Sequence, residues 1–262
     1  DQSGSTVFGQ YVSGVAQFPP IDFEEFYTSE STAIFANLSY QINEQLTLAL
    51  GARYFEDDRT AVIPAFLVDD KATFDKLSSK ASLSYAITED ASTYFSVSEG
   101  FRSGGFNPGF DSAYKPESII SYELGAKASL LDSQFNAEVA IFHSKYSDYQ
   151  DTTADALTGF GIIGNPGEAK IQGLEWSTQF RVTEQLRFGF SGNIMDAEFT
   201  TVDPDFPSVN EGDPLFLIPK YSYSLNIDYD FNWSSIISGF AHLDYNRQGA
   251  NSQINRSPIF LN

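Results

Sequence analysis

The 262 residues carry 35 Asp and Glu against 15 Lys and Arg, a net charge of -20, and contain no cysteine. The acidity excludes a nucleic-acid surface, which needs cations for the phosphates, and the missing thiols exclude disulfide frameworks, thiolate metal sites and cysteine nucleophiles. Aromatic residues are abundant, with 24 Phe and 14 Tyr, and no apolar run reaches the ~18 residues of a membrane helix.

Taken in order, the chain reads as strands throughout. Thr6 to Val15 predicts part of a first strand, and residues 16–30 a Pro- and acid-rich loop. From about Ser31 to Asn43, Ile34, Ala36, Leu38, Tyr40 and Ile42 share one face while Asn37, Ser39 and Gln41 share the other. This period of two is that of a strand. Glu44-Gln45 turns the chain, and Leu46 to about Arg59 repeats the pattern, with Arg53 and Asp57 on the polar face. A loop is predicted over about 60–72, then a strand from Thr73 to Ile87, a turn at Thr88-Glu89-Asp90 and a strand from Ala91 to Gly104. Glu99 shares the phase of Phe95 and Val97 there, so either it lies near the rim or a bulge around Gly100 switches the phase.

After a loop over 105–116, Glu117 to Asp151 gives the clearest hairpin. Ile120, Tyr122, Leu124, Ala126 and Ala128 alternate with Ser121, Glu123, Gly125 and Lys127, and Asp132-Ser133 makes the turn. A loop over 151–164 leads to strands at Ala169–Val182 and from Leu186, joined by Thr183-Glu184-Gln185. A loop with four prolines covers 200–219. Tyr221, Tyr223, Leu225, Ile227, Tyr229 and Phe231 then mark a tenth strand, and Ser234 to Arg247 an eleventh.

Soluble strands average about 5–6 residues. These run to ten or more, the length that crosses a bilayer at a tilt of about 45°. Short turns alternate with long loops, and the polar face carries charges of both signs, as in a barrel with an apolar outside and a wet inside. The pattern predicts an all-β, antiparallel, up-and-down transmembrane β-barrel with short periplasmic turns and long extracellular loops. The opening DQSGSTVFGQYV reads as the end of a strand, so residues 1–262 are expected to be a fragment of one barrel domain. An odd count of eleven strands predicts an open sheet, a strained partial barrel or an extra strand from a terminus.

Two stretches carry a resemblance. GFRSGGFNPGF (Gly100 to Phe110) is similar to the strand-end F-[RK]-S-G-G-F-N motif of TonB-dependent outer-membrane receptors. NPGEAKIQGLEW (Asn165 to Trp176) resembles that family's N-x-G-x-x-x-x-x-G-x-E pattern at Asn165, Gly167, Gly173 and Glu175. YKPESIISYELGAK and IPKYSYSLNIDY follow in the family's order. The resemblance implies a barrel of about 22 strands, of which about eleven are visible, with a plug domain absent from this stretch. It implies active uptake of a bulky nutrient, such as a ferric siderophore, cobalamin or a glycan, in the outer membrane of a Gram-negative bacterium. The implied partners are that nutrient, the TonB energising complex acting through the plug, and membrane lipid and lipopolysaccharide. A passive porin-like channel and a secreted β-rich binding protein remain the alternatives.

The candidate ligand-binding residues are Arg102, Asn107, Tyr146, Tyr149 and Gln150, all at outer strand ends. Rim hydrogen bonding and an aromatic girdle account for the same residues. Asp57, Asp58, Asp69, Asp70, Asp203 and Asp205 read as solvated loop charge, because no spacing matches a calcium loop. His143 and His242 lack metal-ligand spacing, and no nucleophile elbow, P-loop or dinucleotide fingerprint is present. No enzyme activity, cofactor or metal is expected.

Overall fold

The computed structural model describes residues 2–8, 11–12, 15–16, 21–64, 68–107, 113–154, 161–206, 209–234 and 236–250, with side chains from residue 24 onward except over 153–161. Its elements are β1 (Gln2–Phe8), β2 (Tyr11–Val12), β3 (Val15–Ala16), β4 (Ile21–Gln41), β5 (Leu46–Ile63), β6 (Val68–Ala86), β7 (Ala91–Arg102) and β8 (Gly105–Phe106). They continue as β9 (Ala113–Tyr114), β10 (Glu117–Leu130), β11 (Phe135–Ala154), β12 (Gly161–Arg181), β13 (Leu186–Val202), β14 (Tyr221–Ser234) and β15 (Ile237–Gln248). β2 pairs with β3 and β8 with β9; the other eleven form one meandering sheet in the order β1-β4-β5-β6-β7-β10-β11-β12-β13-β14-β15. The sheet is open: among the described residues β1 and β15 each have a neighbour on one side only.

The predicted alternation is realised as two faces. One register row runs Tyr40–Leu48–Leu83–Phe95–Leu124–Ile141–Leu174–Ile194–Tyr221 across nine strands. Most of these side chains stand exposed beside Ile34, Leu38, Tyr54 and Leu77. A soluble protein does not leave an apolar face of this extent bare, whereas a lipid-facing wall requires it. On the other face charges neutralise one another. Lys127 pairs with Glu138 and stands over the Tyr94 ring, Tyr94 donates to Glu123 at 2.6 Å, and Arg187 meets Asp230 at 2.8 Å.

Strand limits differ from the sequence reading at the outer end. The loop predicted over 16–30 is largely strand, because β4 begins at Ile21 and pairs with β1 and then with β5 up to Phe26↔Val62. The first strand is Gln2–Phe8 rather than Thr6–Val15. The predicted loop over 60–72 shrinks to the few residues between Ile63 and Val68, and β11 and β12 extend through Ala154↔Gly161. β4 and β12 reach 21 residues each. About ten or eleven suffice to cross the membrane, so the outer half of each long strand projects into water. The Asp132-Ser133 turn widens to Leu131–Gln134, with φ of 56°, 52° and 62° at Leu131, Asp132 and Ser133.

Candidate ligand vestibule at the outer rim

The first resemblance stretch begins where β7 parts from β6. Their ladder stops at Lys80↔Ser98, while β7 stays paired with β10 as far as Arg102↔Glu117. Glu99 sits at this fork in unbroken register with Ile120. Its carboxylate accepts hydrogen bonds from the Ser79 amide and hydroxyl, both at 2.9 Å. The phase of Glu99 is therefore regular, with no bulge, and its side chain caps an N–H that β7 has ceased to serve.

Beyond the fork the chain steps over the inner face of β5 and β6. Phe101 meets the inward Phe55 edge-on at 6.3 Å, and Arg59 Nη1 donates to the Gly104 carbonyl at 2.8 Å. A Cβ on Gly104 would lie 2.4 Å from the Tyr114 carbonyl and 2.7 Å from the Phe74 ring, so only glycine permits this approach. Beneath it Asp57 is 2% exposed, holding Ser29 Oγ and Arg59 Nε at 2.7 Å each. Burial pushes the Asp57 carboxyl up, but the Ser29 and Ser103 hydroxyls and the Arg59 guanidinium outweigh it and hold the group below the usual carboxylate range. Asp57 is thus a buried anchor and not the solvated loop charge that its sequence context suggests.

The amide side chains act as surrogate backbone. Asn107 donates to the Ile163 carbonyl at 2.8 Å and accepts from its amide at 2.9 Å, the two-way exchange of a strand pair. Gln150 Nε2 donates to the carbonyls of Ser103 and Lys115, both at 2.9 Å, while its own amide donates to Glu117 Oε2 at 2.7 Å. Burial raises the Glu117 carboxyl, against the pull of the Gln150 amide and Arg102. Asn165, from the second resemblance stretch, grips Lys115 on both sides: it accepts from the Lys115 amide at 2.7 Å and donates to its carbonyl at 3.0 Å. Two residues on, Gly167 adopts φ 151°, and a Cβ there would fall 1.9 Å from the Thr201 carbonyl. Glycine lets β12 approach β13 where their register shifts.

Tyr146 and Tyr149 close the other side. Their rings meet at 5.5 Å, Tyr149 packs edge-on against Phe199 at 5.6 Å, and both lie against the buried cluster of Ala169, Phe199, Val209 and Leu215. The stretch after β13 folds back to complete this cluster. Leu215 donates to the Ala197 carbonyl at 3.0 Å and Phe199 to that of Asp213 at 3.0 Å, above the point where β13 and β14 separate at Ile194↔Tyr221.

Of the five candidates, four are held in the rim: Asn107 and Gln150 are buried and the two tyrosines are half-buried. Arg102 is exposed. Ser29, Asp57, Arg59 and Asn165 belong to the same network and were absent from the candidate set. The i, i+2 spacing of Asp57 and Arg59 on one strand face was the available signal. Among the described residues no group of His, Asp or Glu is arranged to hold a metal ion.

An antiparallel wall, apolar outside and charged inside, with a braced rim, fits a transmembrane β-barrel of the bacterial outer membrane. Residues 2–259 match the family model described as TonB dependent receptor-like, beta-barrel, and the chain belongs to that family. It is similar to the pesticin receptor of Yersinia enterocolitica, 21% identical over 221 residues, covering 80% of this chain and 32% of that protein. A probable TonB-dependent siderophore receptor, PiuA of Acinetobacter baumannii, is 25% identical over 187 residues, with 66% and 24% covered. Among solved structures, the ferric yersiniabactin uptake receptor FyuA of Yersinia pestis superposes with a TM-score of 0.74 at 18% identity, covering 92% of this chain and 37% of that one. The chain thus spans about a third of the length of the curated relatives it matches. The family consists of outer-membrane receptors and transporters of Gram-negative bacteria, and the chain is not an enzyme.

Proposed function

We propose that residues 1–262 form about half of the barrel wall of a receptor that takes up a ferric siderophore from outside the cell. The family match over nearly the whole chain carries this reading, and siderophore receptors recur among the relatives. Eleven strands are half of the about 22 such barrels contain. Transport would be driven by the TonB complex through a plug domain supplied by the remainder of the receptor. Cobalamin or glycan uptake is supported by nothing in the relatives named above.

In this reading Asn107, Gln150, Tyr146 and Tyr149 serve ligand capture by fixing the shape of the vestibule, and Arg102 presents its guanidinium to the ligand. The test is a deletion of the full receptor gene, followed by uptake of radio-iron from a panel of siderophores. Loss of uptake for one chelate class, with the same loss when TonB is removed, is the expected result. Unchanged iron uptake, with reduced permeability to small solutes instead, would sink the proposal in favour of a passive channel.

A further inference from the structure

Above the fork, β6 keeps a neighbour on one side only. Its ladder with β5 runs without a break from Leu46↔Tyr85 to Ile63↔Val68, whereas its ladder with β7 stops at Lys80↔Ser98. The chain that leaves β7 is tied down elsewhere, with Gly105 paired to Tyr114 and Asn107 to Ile163. The Ser79 amide points to the open side, where Glu99 receives it. Backbone groups of an antiparallel strand alternate in direction, so those of Leu77, Asp75, Thr73 and Lys71 point the same way. Among the described residues none of these four amides has a backbone partner there. About ten or eleven residues counted from Ala86 cross the membrane, so β6 from about Asp75 to Val68 stands in the water outside the cell.

The outward side chains beside this edge are acidic. Two register rows cross three strands as Glu30–Asp58–Thr73 and Thr32–Glu56–Asp75. They share the phase of Ile34, Tyr54 and Leu77, which are exposed on the outward face. Glu30 thus stands directly opposite Asp58, and Glu56 directly opposite Asp75, pairings of like charge that cost stability. Asp58 accepts from the Thr73 hydroxyl and Glu56 from that of Tyr54. Among the described residues no Lys or Arg forms an ion pair with any of the four carboxylates. Lys71, on the next row, engages Asp69 at 3.9 Å.

We propose that the outer half of β6 is a strand-addition site for an extended basic segment of a protein outside the cell. The free amides and carbonyls from Lys71 to Leu77 supply the ladder, and main-chain pairing of this kind gives affinity without regard to sequence. Charge selects the occupant. Lys or Arg at alternate positions of the added strand falls beside Asp75, with Glu56 and Asp58 one strand behind. A second copy of this chain would bring the same carboxylates to the edge and be repelled. β6 lies in the interior of the sheet with β5 and β7 on its two sides, so the open edge is produced within this chain. The site is independent of the nutrient transported.

The full-length receptor, purified in detergent and shown to be folded by heat-modifiable gel mobility, is titrated with a fluorescent nine-residue peptide of alternating Lys and Thr. Binding is read by anisotropy. Two control peptides carry Glu in place of Lys, or keep every Lys but have four consecutive central amides N-methylated so that neither edge can pair. Each control should bind at least about tenfold more weakly than the basic peptide, the scale of a few lost hydrogen bonds or reversed charges. Thr73→Pro removes one amide on the open side, where an edge tolerates proline, and Asp75→Lys reverses a charge while giving Glu56 a partner. Both folded variants should bind the basic peptide about fivefold or more weakly than wild type. Equal binding of the N-methylated and unmodified basic peptides overturns the proposal, because attraction is then charge without strand pairing. Equal binding of the acidic peptide, or wild-type affinity in both variants, overturns it as well.

Discussion

Removing the Gln150 side chain tests whether the rim is braced by amide groups. Gln150→Ala deletes two hydrogen bonds, to the carbonyls of Ser103 and Lys115, each 2.9 Å long. The two losses are not equal. The Lys115 carbonyl keeps the Asn165 amide at 3.0 Å, whereas the Ser103 side of the network is buried. Two neutral hydrogen bonds contribute about 1 kcal/mol each, and a buried carbonyl left unpaired costs about 1–3 kcal/mol. The local penalty is then about 3 kcal/mol. At 1.4 kcal/mol per factor of ten, local opening becomes roughly a hundredfold more frequent. Hydrogen exchange of the full-length receptor reads this directly, in peptides covering 103–107 and 113–117. Strands near the periplasmic turns should exchange unchanged, since opening is local. A change below about threefold in those peptides refutes the bracing argument. If Gln150 touches the ligand instead, affinity should fall while exchange stays as in wild type.

Three further outcomes follow from particular residues. Asp57 has a folded carboxyl held below its ordinary value, so its stabilising contribution is complete above the unfolded value of about 3.9 and is lost as pH falls through the lower folded one. Wild-type receptor should therefore lose thermal stability below about pH 4 more steeply than Asp57→Asn, and parallel acid profiles would contradict the assignment. Leu131 holds φ 56° in an exposed turn, so Leu131→Gly should stabilise the barrel by about 1 kcal/mol in urea unfolding. Cysteines placed at Glu123 and Leu124 in the full receptor should divide by face, the first modified by an aqueous reagent through the lumen and the second only from lipid; the reverse pattern would invert the wall.

The membrane-spanning part was legible because lipid on one side and water on the other enforce a period of two. Tyr40, Leu124 and Tyr221 were assigned to the apolar faces of their strands by alternation alone, and the register places them in one row. The rule fails above the outer interface, where both faces are wet. Phe23 to Glu30 mixes acids, Thr28 and aromatics without alternation, and Val68 to Ala72 is mostly charged, so both read as loop although they are strand. The brace was illegible for a different reason. Asn107 pairs with Ile163 across 56 residues and Gln150 with Lys115 across 35, and no local pattern encodes a side chain standing in for backbone. Both residues were marked as rim positions by motif and strand end, which gave their place but not their partners.

The fork between β6 and β7 shows why the brace lies where it does. Within hydrocarbon every unpaired N–H or C=O costs several kcal/mol, so strands under lipid stay fully laddered. From Lys80↔Ser98 down to Ala86↔Ser92 the two strands obey that rule. One residue above, Glu99 satisfies the first amide that the parting leaves on β6, and its position allows its charge to reach the interface, where it costs little. Higher still, the Ser103–Asn107 stretch leans inward onto Arg59, and Gln150 takes over the pairing. A side-chain brace can be released or rebuilt without exposing backbone to lipid, whereas a ladder bond inside the membrane cannot. Segments that must vary or move to accommodate a ligand are therefore confined to the zone above the fork, and all five candidate residues lie in that zone or at its lower edge.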